Sequence, residues 1–235
     1  MKVAVINFSG NVGKSTISRH LLAPRLKDAS IIPVESINSD GSQDEAIKGK
    51  QFGELQEALT MMDDAVVDVG SSNVEVFVQL MKQYRGSHEE FDYFVIPTIS
   101  KHKQQRDTIS TIEALSEIGV PAKKIRLVFN MVELDETPER IFSGLFEFHA
   151  ATKNFTLRPD AVIHVNDIYG KLKDAEKSIK DILNDPTDYK EKIKTAKDSE
   201  EKLHFAQMVG IKRLAAGVTE ELDAVFKTLF KKAKG

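Results

Sequence analysis

The sequence predicts an α/β fold in which helices cover both faces of a doubly wound, mostly parallel sheet, followed by a helical C-terminal extension. Short apolar runs alternate with longer amphipathic stretches from the N-terminus to about Ile182, a pattern typical of such a sheet. A glycine-containing loop joins the first apolar run to the first helical stretch. The chain has 235 residues, of which 41% are hydrophobic, and this is enough to bury a large core.

Six runs rich in Val, Ile or Phe are predicted as strands. Each run is short and mainly apolar, as expected of strands in a parallel sheet that helices cover on both faces. The predicted strands are residues 2–7, 30–35, 65–69, 93–97, 125–130 and 161–165.

The stretches between these runs show helical periodicity and are predicted as helices. They are residues 14–26, 53–62, 74–84, 104–118, 138–152 and 168–183. Asp185-Pro186 then interrupts the chain, so we predict an α/β unit over residues 1–184 and a helical extension over residues 185–235. Within the extension, residues 189–202 are strongly charged and residues 218–232 place apolar side chains on one helical face.

Composition excludes several classes of protein. The formal net charge is −3 and the pI is about 6.1, so the chain has no global basic field of the kind that drives sequence-independent DNA binding. Cysteine is absent, which excludes disulfides, thiolate chemistry and cysteine-ligated metals. The first apolar run has the length of a strand rather than of a signal peptide, and no run is long enough to cross a bilayer. We therefore expect a cytoplasmic protein.

The loop after the first predicted strand has the composition of a phosphate-binding loop. Glycines let backbone N–H groups approach a polyphosphate, and the following helix directs its positive end toward it. A lysine and a hydroxyl at the helix start are suited to the terminal phosphates and to magnesium. The candidate residues are Ser9, Gly10, Asn11, Val12, Gly13, Lys14, Ser15 and Thr16.

This loop departs from the generic motif G-x-x-x-x-G-K-[ST], because Phe8 occupies the position of the first glycine. The alternative interpretation is a simple glycine turn between a strand and a helix. A lysine in the first helical turn opposes the helix dipole unless an anion is bound there, and this favours phosphate binding.

Two acidic strand ends are candidates for the chemistry, because ligands of open parallel sheets lie at the carboxyl ends of the strands. Asp68 precedes a turn at Gly70 and is the candidate magnesium-linked carboxylate, although the residues after it could simply cap the next helix. Glu35 is the candidate for orienting an attacking water, with Asp40 as the alternative and a solvent-facing loop acid as the structural interpretation. Lys14, Asp68 and Glu35 are thus the catalytic candidates, and Ser15 and Asp68 the metal ligands.

Two further polar segments follow predicted strands. Asn130 closes the fifth run, where its amide could contact an adenine edge or serve as a turn residue. Residues 98–107 carry several cationic side chains, which could contact a phosphate, an acidic partner or a DNA backbone. A solvated helix start explains them equally well. The histidines show no metal-ligand spacing and are interpreted as structural.

The pattern resembles the deviant-Walker P-loop ATPases of the ParA/MinD type, whose loop reads Lys-Gly-Gly-x-Gly-Lys-[Ser/Thr]-Thr. Segments 5–16, 68–75 and 96–98 look more narrowly like the StbB plasmid-stability proteins. The resemblance implies ATP and Mg²⁺ as cofactors, with phosphates and magnesium held by Lys14, Ser15 and Thr16. It further implies that Asp68 is the switch carboxylate and that Asn130 contacts the base. The following Met131-Val132-Glu133 lacks a guanine motif, and the choice between ATP and GTP stays open.

The resemblance also implies a nucleotide-dependent homodimer and a small DNA-binding partner protein that acts in plasmid maintenance or conjugation. One departure bears on turnover: the signature lysine of the family is Ser9 here, and the second glycine is Asn11. Loss of that cation predicts slow hydrolysis unless Lys101, Lys103 or Arg106 replaces it. Direct contact with DNA is left open.

Three functions fit these observations. The first is an ATPase switch that hydrolyses ATP to ADP and phosphate. The second is a small-molecule kinase or ATP-dependent ligase, although no arginine-rich lid segment is evident. The third is a module that holds nucleotide with little hydrolysis.

The C-terminal apolar face admits two interpretations. Leu222, Val225, Phe226, Leu229 and Phe230, with neighbouring lysines, could form an amphipathic membrane anchor. We favour a final helix packed on the sheet, because the apolar stripe has ordinary core width.

Overall fold

A computed structural model describes residues 1–34, 45–174 and 178–231, and in these ranges the strands form one parallel sheet. The spatial order is β2-β3-β1-β4-β5-β6, so β1 is central and lies between β3 and β4. All six predicted strands are present, with ends that differ by at most two residues. They are β1 (Lys2–Val5), β2 (Ser30–Val34), β3 (Ala65–Val69), β4 (Tyr93–Thr98), β5 (Ile125–Val132) and β6 (Val162–His164).

Strand β2 lies at one edge of the sheet and is the most exposed of the longer strands. Ile31 and Pro33 face solvent, whereas all of β3 beside it is buried. Proline is tolerated at an edge because its missing N–H is not required by a further neighbour.

Helices connect the strands and cover both sheet faces. They are α1 (Lys14–Thr16), α2 (Glu45–Met61), α3 (Val74–Gln83), α4 (His102–Glu117), α5 (Pro138–Ile141), α6 (Ser143–Thr152), α7 (Ile168–Asp174), α8 (Ile179–Asn184), α9 (Tyr189–Lys194) and α10 (Ser199–Phe230). Helix α1 continues as a π-helical segment, Ile17–Leu22, and a 3₁₀ turn, Ala23–Arg25.

Several predicted helices differ from the observed ones. The stretch 14–26 is α1 with its π-helical and 3₁₀ segments, and the stretch 168–183 includes two helices, α7 and α8. The stretch 138–152 is two helices, because Phe142 adopts φ −118° and interrupts the helical path. Helix α2 begins earlier than predicted, at Glu45. Helix α10 spans 32 residues from Ser199, where the side chain of Asp198 accepts a hydrogen bond from Glu201 N and caps the helix.

Alternate strand residues enter two core layers, as the period of two in a strand requires. Ala4 and Ile6 of the central strand pack with α2, α3, α4 and α6 on one face. Val3 and Val5 pack with α1, α7, α8 and α10 on the other. The sheet is therefore buried on both sides, as its apolar strands predict.

The C-terminal helix is part of the second layer. Its residues Leu222, Val225 and Leu229 are buried, and the ring of Phe230 lies 4.9 Å from that of Tyr93 on β4. Polar contacts join the same surfaces: Arg25 Nε donates to Asp223 at 2.7 Å, and His164 Nδ1 lies 2.6 Å from Glu221 Oε2. The apolar face of α10 is thus packed against the protein. The predicted domain boundary after residue 184 stays a prediction. Among the helices of the described ranges, none combines the length and apolar composition that a bilayer span requires.

Candidate functional site

The loop between β1 and α1 has a backbone that only certain residues adopt easily. Gly13 has φ +88° and Asn11 has φ +57°, both in the left-handed region. Ile17 N donates to Gly13 O at 2.9 Å, so the helical hydrogen bonding begins at this glycine. The loop lies at the carboxyl end of the central strand, where the chain order reverses between β3 and β4 and where parallel sheets bind ligands.

The side chain of Lys14 folds back over the loop. Its Nζ donates to Ser9 O at 2.8 Å and to Asn7 O at 3.1 Å, and the residue is only 8% exposed. Burial lowers the pKa of Lys14 from 10.5 to about 8, and the nearby carboxylate of Asp68 partly opposes this shift. Lys14 is therefore held by two backbone carbonyl oxygens of its own loop.

The predicted metal ligands lie at this end of the sheet. Ser15 is exposed at the start of α1, and Asp68 is buried near the end of β3, in register with Val5 of the central strand. In the described ranges, no group of three or more acidic, His or Cys side chains could cage a metal. One carboxylate and one hydroxyl still fit Mg²⁺, which binds through few protein ligands and keeps several waters. The magnesium role of these residues stays a prediction.

An open cleft of about 610 Å³ extends from this loop. Part of its lining comes from the loop, the start of α1 and the turn after β3. The rest comes from side chains of the π-helical segment, β5 and α7. The lining residues are Gly10, Asn11, Gly13, Lys14, Ser15, Thr16, Arg19, His20, Gly70, Ser71, Met131, Tyr169 and Leu172.

A buried asparagine holds the first half of the loop. Asn7 Nδ2 donates to Pro97 O at 2.8 Å and to Thr108 Oγ1 at 2.9 Å, and Asn7 Oδ1 accepts from Ser9 N at 2.7 Å. Thr111 Oγ1 accepts a further bond from Phe8 N at 3.1 Å. Helix α4 and strand β4 thus anchor the loop through hydrogen bonds that are shielded from water.

Asn130 holds the second half of the loop. It lies on β5, is 4% exposed, and its Nδ2 donates to Val12 O at 2.9 Å. The predicted contact of this amide with a base is not tested by these contacts and stays a prediction.

The predicted loop residues separate into two groups. Gly10, Asn11 and residues 13–16 line the cleft, whereas Ser9 and Val12 are buried behind it. Glu35 and Asp40 lie outside the described residues. The exposed cations Lys101, Lys103 and Arg106 belong to the α4 region and are not among the described residues that line the cleft.

Sequence reasoning missed five further residues that line the cleft: Arg19, His20, Met131, Tyr169 and Leu172. The His20 and Tyr169 rings pack 5.8 Å apart, and burial, followed by the charge of Arg19, lowers the pKa of His20 to about 4. Arg19 and His20 come shortly after the loop in the sequence, and this proximity could have indicated that they line the cleft. Met131 and Tyr169 reach the cleft only through the approach of β5 and α7, and no local motif indicates them.

The parallel sheet, its strand order and the loop after the central strand define the fold of the ParA/MinD P-loop ATPases, and this chain has that fold. Comparison with protein-family models gave no match, and comparison with curated protein sequences gave none either.

Three solved structures illustrate the likeness. The MinD cell division protein of Aquifex aeolicus has a TM-score of 0.55 at 12% identity, over 100% of this chain and 98% of that chain. MinD in the MinC:MinD complex of the same organism has a TM-score of 0.52 at 13% identity, over 89% of this chain and 95% of that chain. Apo McdA of Cyanothece has a TM-score of 0.51 at 12% identity, over 94% of this chain and 98% of that chain.

Proposed function

We propose that this protein is a magnesium-dependent switch that binds and hydrolyses ATP. The observation that carries the proposal is the cleft at the carboxyl end of β1, where a left-handed glycine, a buried lysine and the start of α1 face one space. Backbone N–H groups, a helix N-terminus and a lysine together suit a polyphosphate.

Each residue has a distinct part in this proposal. The amides of the loop bind phosphate oxygens, and Lys14 exchanges its bonds with Ser9 O and Asn7 O for bonds to the phosphates. Ser15 and Asp68 hold Mg²⁺, which neutralises phosphate charge when bound. Gly70 and Ser71, after β3, line the phosphate end and are placed to respond to the terminal phosphate.

The biological role proposed is plasmid stability, segregation or conjugation. Its support is the StbB-like segments of the sequence. The MinC:MinD complex shows that a MinD with this fold assembles with a second protein. For the present chain we propose a nucleotide-dependent homodimer in the cytoplasm that acts with a small DNA-binding partner.

Slow hydrolysis is a specific alternative within this function. Ser9 occupies the position of the family's signature lysine, is 4% exposed, and its carbonyl is bound by Lys14. This position therefore supplies no cation to the cleft. Arg19 is exposed and lines the cleft, so we propose it in place of the exposed cations of α4 as the replacement for the signature lysine.

Calorimetric titration with ATP and Mg²⁺, followed by an assay of phosphate release, tests the proposal. We expect Lys14→Ala to weaken ATP binding by roughly tenfold to a hundredfold, because charge-assisted bonds to the phosphates are lost. Lys101→Ala, which removes an exposed lysine outside the cleft, is the matched control and retains binding. Absence of ATP binding by the unsubstituted protein, or equal binding by Lys14→Ala, would contradict the proposal. Nucleotide binding without phosphate release would identify a nucleotide-holding module.

A further inference from the structure

We propose that Asn130 is a positioning residue for the phosphate loop, which acts through the Val12 carbonyl and not through the base of the nucleotide. This inference rests on the proposed function, since it assigns a role within the same site. In this proposal, a residue of β5 sets the geometry of a loop that follows β1.

The side-chain amide of Asn130 is in direct contact with the loop backbone. Its Nδ2 donates to Val12 O at 2.9 Å. A Cβ atom on Gly13 would lie 2.2 Å from the same nitrogen and 3.5 Å from Asn130 Cγ. The amide thus fills the space where any other residue at position 13 would place its side chain.

This single hydrogen bond determines where the next N–H group points. The peptide between Val12 and Gly13 is trans, because the described residues include no cis peptide bond. In a planar trans peptide the C=O and N–H groups point in opposite directions. Because Asn130 holds the Val12 carbonyl on its own side, the Gly13 N–H is directed away from Asn130, toward the cleft that Gly13 lines.

The backbone of β5 supports the same assignment. The pairing of β5 with β6 shifts register between Asn130 and Val132, and Met131 at this bulge has φ +55°. The bulge places Met131 in the cleft while Asn130 stays buried against the loop. Met131 is therefore the β5 side chain that lines the cleft, and its Cε would lie 3.8 Å from a Cβ atom on Gly13.

The test compares ligands that share phosphates but differ in the base. Dissociation constants for ATP, GTP and inorganic tripolyphosphate, each with Mg²⁺, are measured for the full chain, Asn130→Asp and Asn130→Ala. We expect both variants to weaken all three ligands by the same factor, of about tenfold, because the N–H array is misaligned for every polyphosphate. Without nucleotide, amide hydrogen exchange at Gly13 and Lys14 is expected to be faster in both variants than in the unsubstituted protein.

Ile163→Val is the control for a general loss of stability, because Ile163 is buried and pairs with Asn130 across β5 and β6. This variant is expected to leave the three affinities and the loop exchange unchanged. A change in the ATP-to-GTP ratio with unchanged tripolyphosphate binding and unchanged loop exchange would overturn the inference. If the unsubstituted protein binds none of the three ligands, the proposed function fails, while the exchange rates still decide whether Asn130 holds the loop. Asn130→Ala buries no charge, so it keeps the test available if Asn130→Asp does not fold.

Discussion

At the scale of single residues, the phosphate loop combines strained backbone with buried polar contacts. Gly13 and Asn11 have positive φ. Asn7, just after β1, and Asn130, on β5, hold the backbone of the two halves of the loop by hydrogen bonds. Such a loop is shaped before any ligand arrives, so less ordering entropy is lost on binding.

Gly13→Ala is expected to destabilise the protein and to abolish tight ATP binding. The φ of +88° costs an alanine roughly 1–3 kcal/mol, and the added Cβ would lie 2.2 Å from Asn130 Nδ2. Thermal unfolding and ATP titration measure the two effects. Gly210→Ala, within α10 and with open space around the added Cβ, is the matched control and should stabilise the helix by about 1 kcal/mol. An unchanged melting temperature for Gly13→Ala would contradict the geometry.

Lys14 makes the stability of the nucleotide-free protein depend on pH. Its pKa is lowered by burial from the ordinary lysine value of 10.5 to about 8 in the folded protein, so folding disfavours the charged form. Between pH 8 and 10.5 the unfolded state binds more protons, and the free energy of unfolding should therefore rise with pH. The corresponding gain is at most roughly 3 kcal/mol. Urea unfolding of the protein and of Lys14→Met checks this, and curves that stay parallel across that range would refute it.

At the scale of elements, helix α4 is joined to the phosphate loop by a hydrogen-bond network. Thr108 Oγ1 accepts from Asn7 Nδ2 at 2.9 Å, lies 3.0 Å from Thr98 Oγ1, and donates to Gln104 O at 2.7 Å. This hydroxyl is buried among three polar partners, and it connects the helix, the end of β4 and the loop.

Thr108→Val is therefore expected to lower the free energy of unfolding by about 1–3 kcal/mol, since the shape is kept but buried groups lose a partner. ATP affinity should fall with it, because Asn7 also holds Ser9 N. Thr60→Val serves as the control: Thr60 is exposed and donates only within its own helix, to Gln56 O. That control should change stability by less than about 0.5 kcal/mol. Equal effects of the two substitutions in chemical denaturation would argue against the network.

At the scale of the whole molecule, one sheet shares its two faces between two core layers. Phe94 lies in the layer with α2–α6, and Leu222 of α10 lies in the layer with α1, α7 and α8. Because the same strands contribute to both layers, loss of either layer exposes the sheet face that it covered and leaves the strands packed on one side only. Residues 185–231 are thus packed with the rest of the described chain.

We expect one cooperative unfolding transition that substitutions in either layer shift. Leu222→Ala should cost about 2–5 kcal/mol and Phe94→Ala about 3–5 kcal/mol, through lost burial and cavity formation. Leu203→Ala, at a 60% exposed position of α10, should have little effect. Differential scanning calorimetry measures all three, and a separate transition that only Leu222→Ala shifts would show that the C-terminal region unfolds on its own.

Much of the fold was predictable because its signals are local. A strand buried on both faces must be apolar along its length, and this indicated β1 through β6 within two residues at each end. The loop between β1 and α1 was equally local, since its glycine, lysine and hydroxyl residues lie at fixed spacing within one turn. Its phosphate binding stays a prediction. The start of α10 at Ser199 was missed, because the charged residues there do not show an apolar face.

The sequence by itself determined the α/β class, the glycine-containing loop after β1, and the apolar stripe that packs α10 against the sheet, because backbone preference and hydrophobic periodicity act between near neighbours. Only the tertiary structure decided that Asn130 contacts Val12 and that Met131 and Tyr169 line the cleft. Val12 and Asn130 are 118 positions apart. Their contact depends on the order in which parallel strands assemble and on a bulge in β5, and neither leaves a mark on the residues next to them.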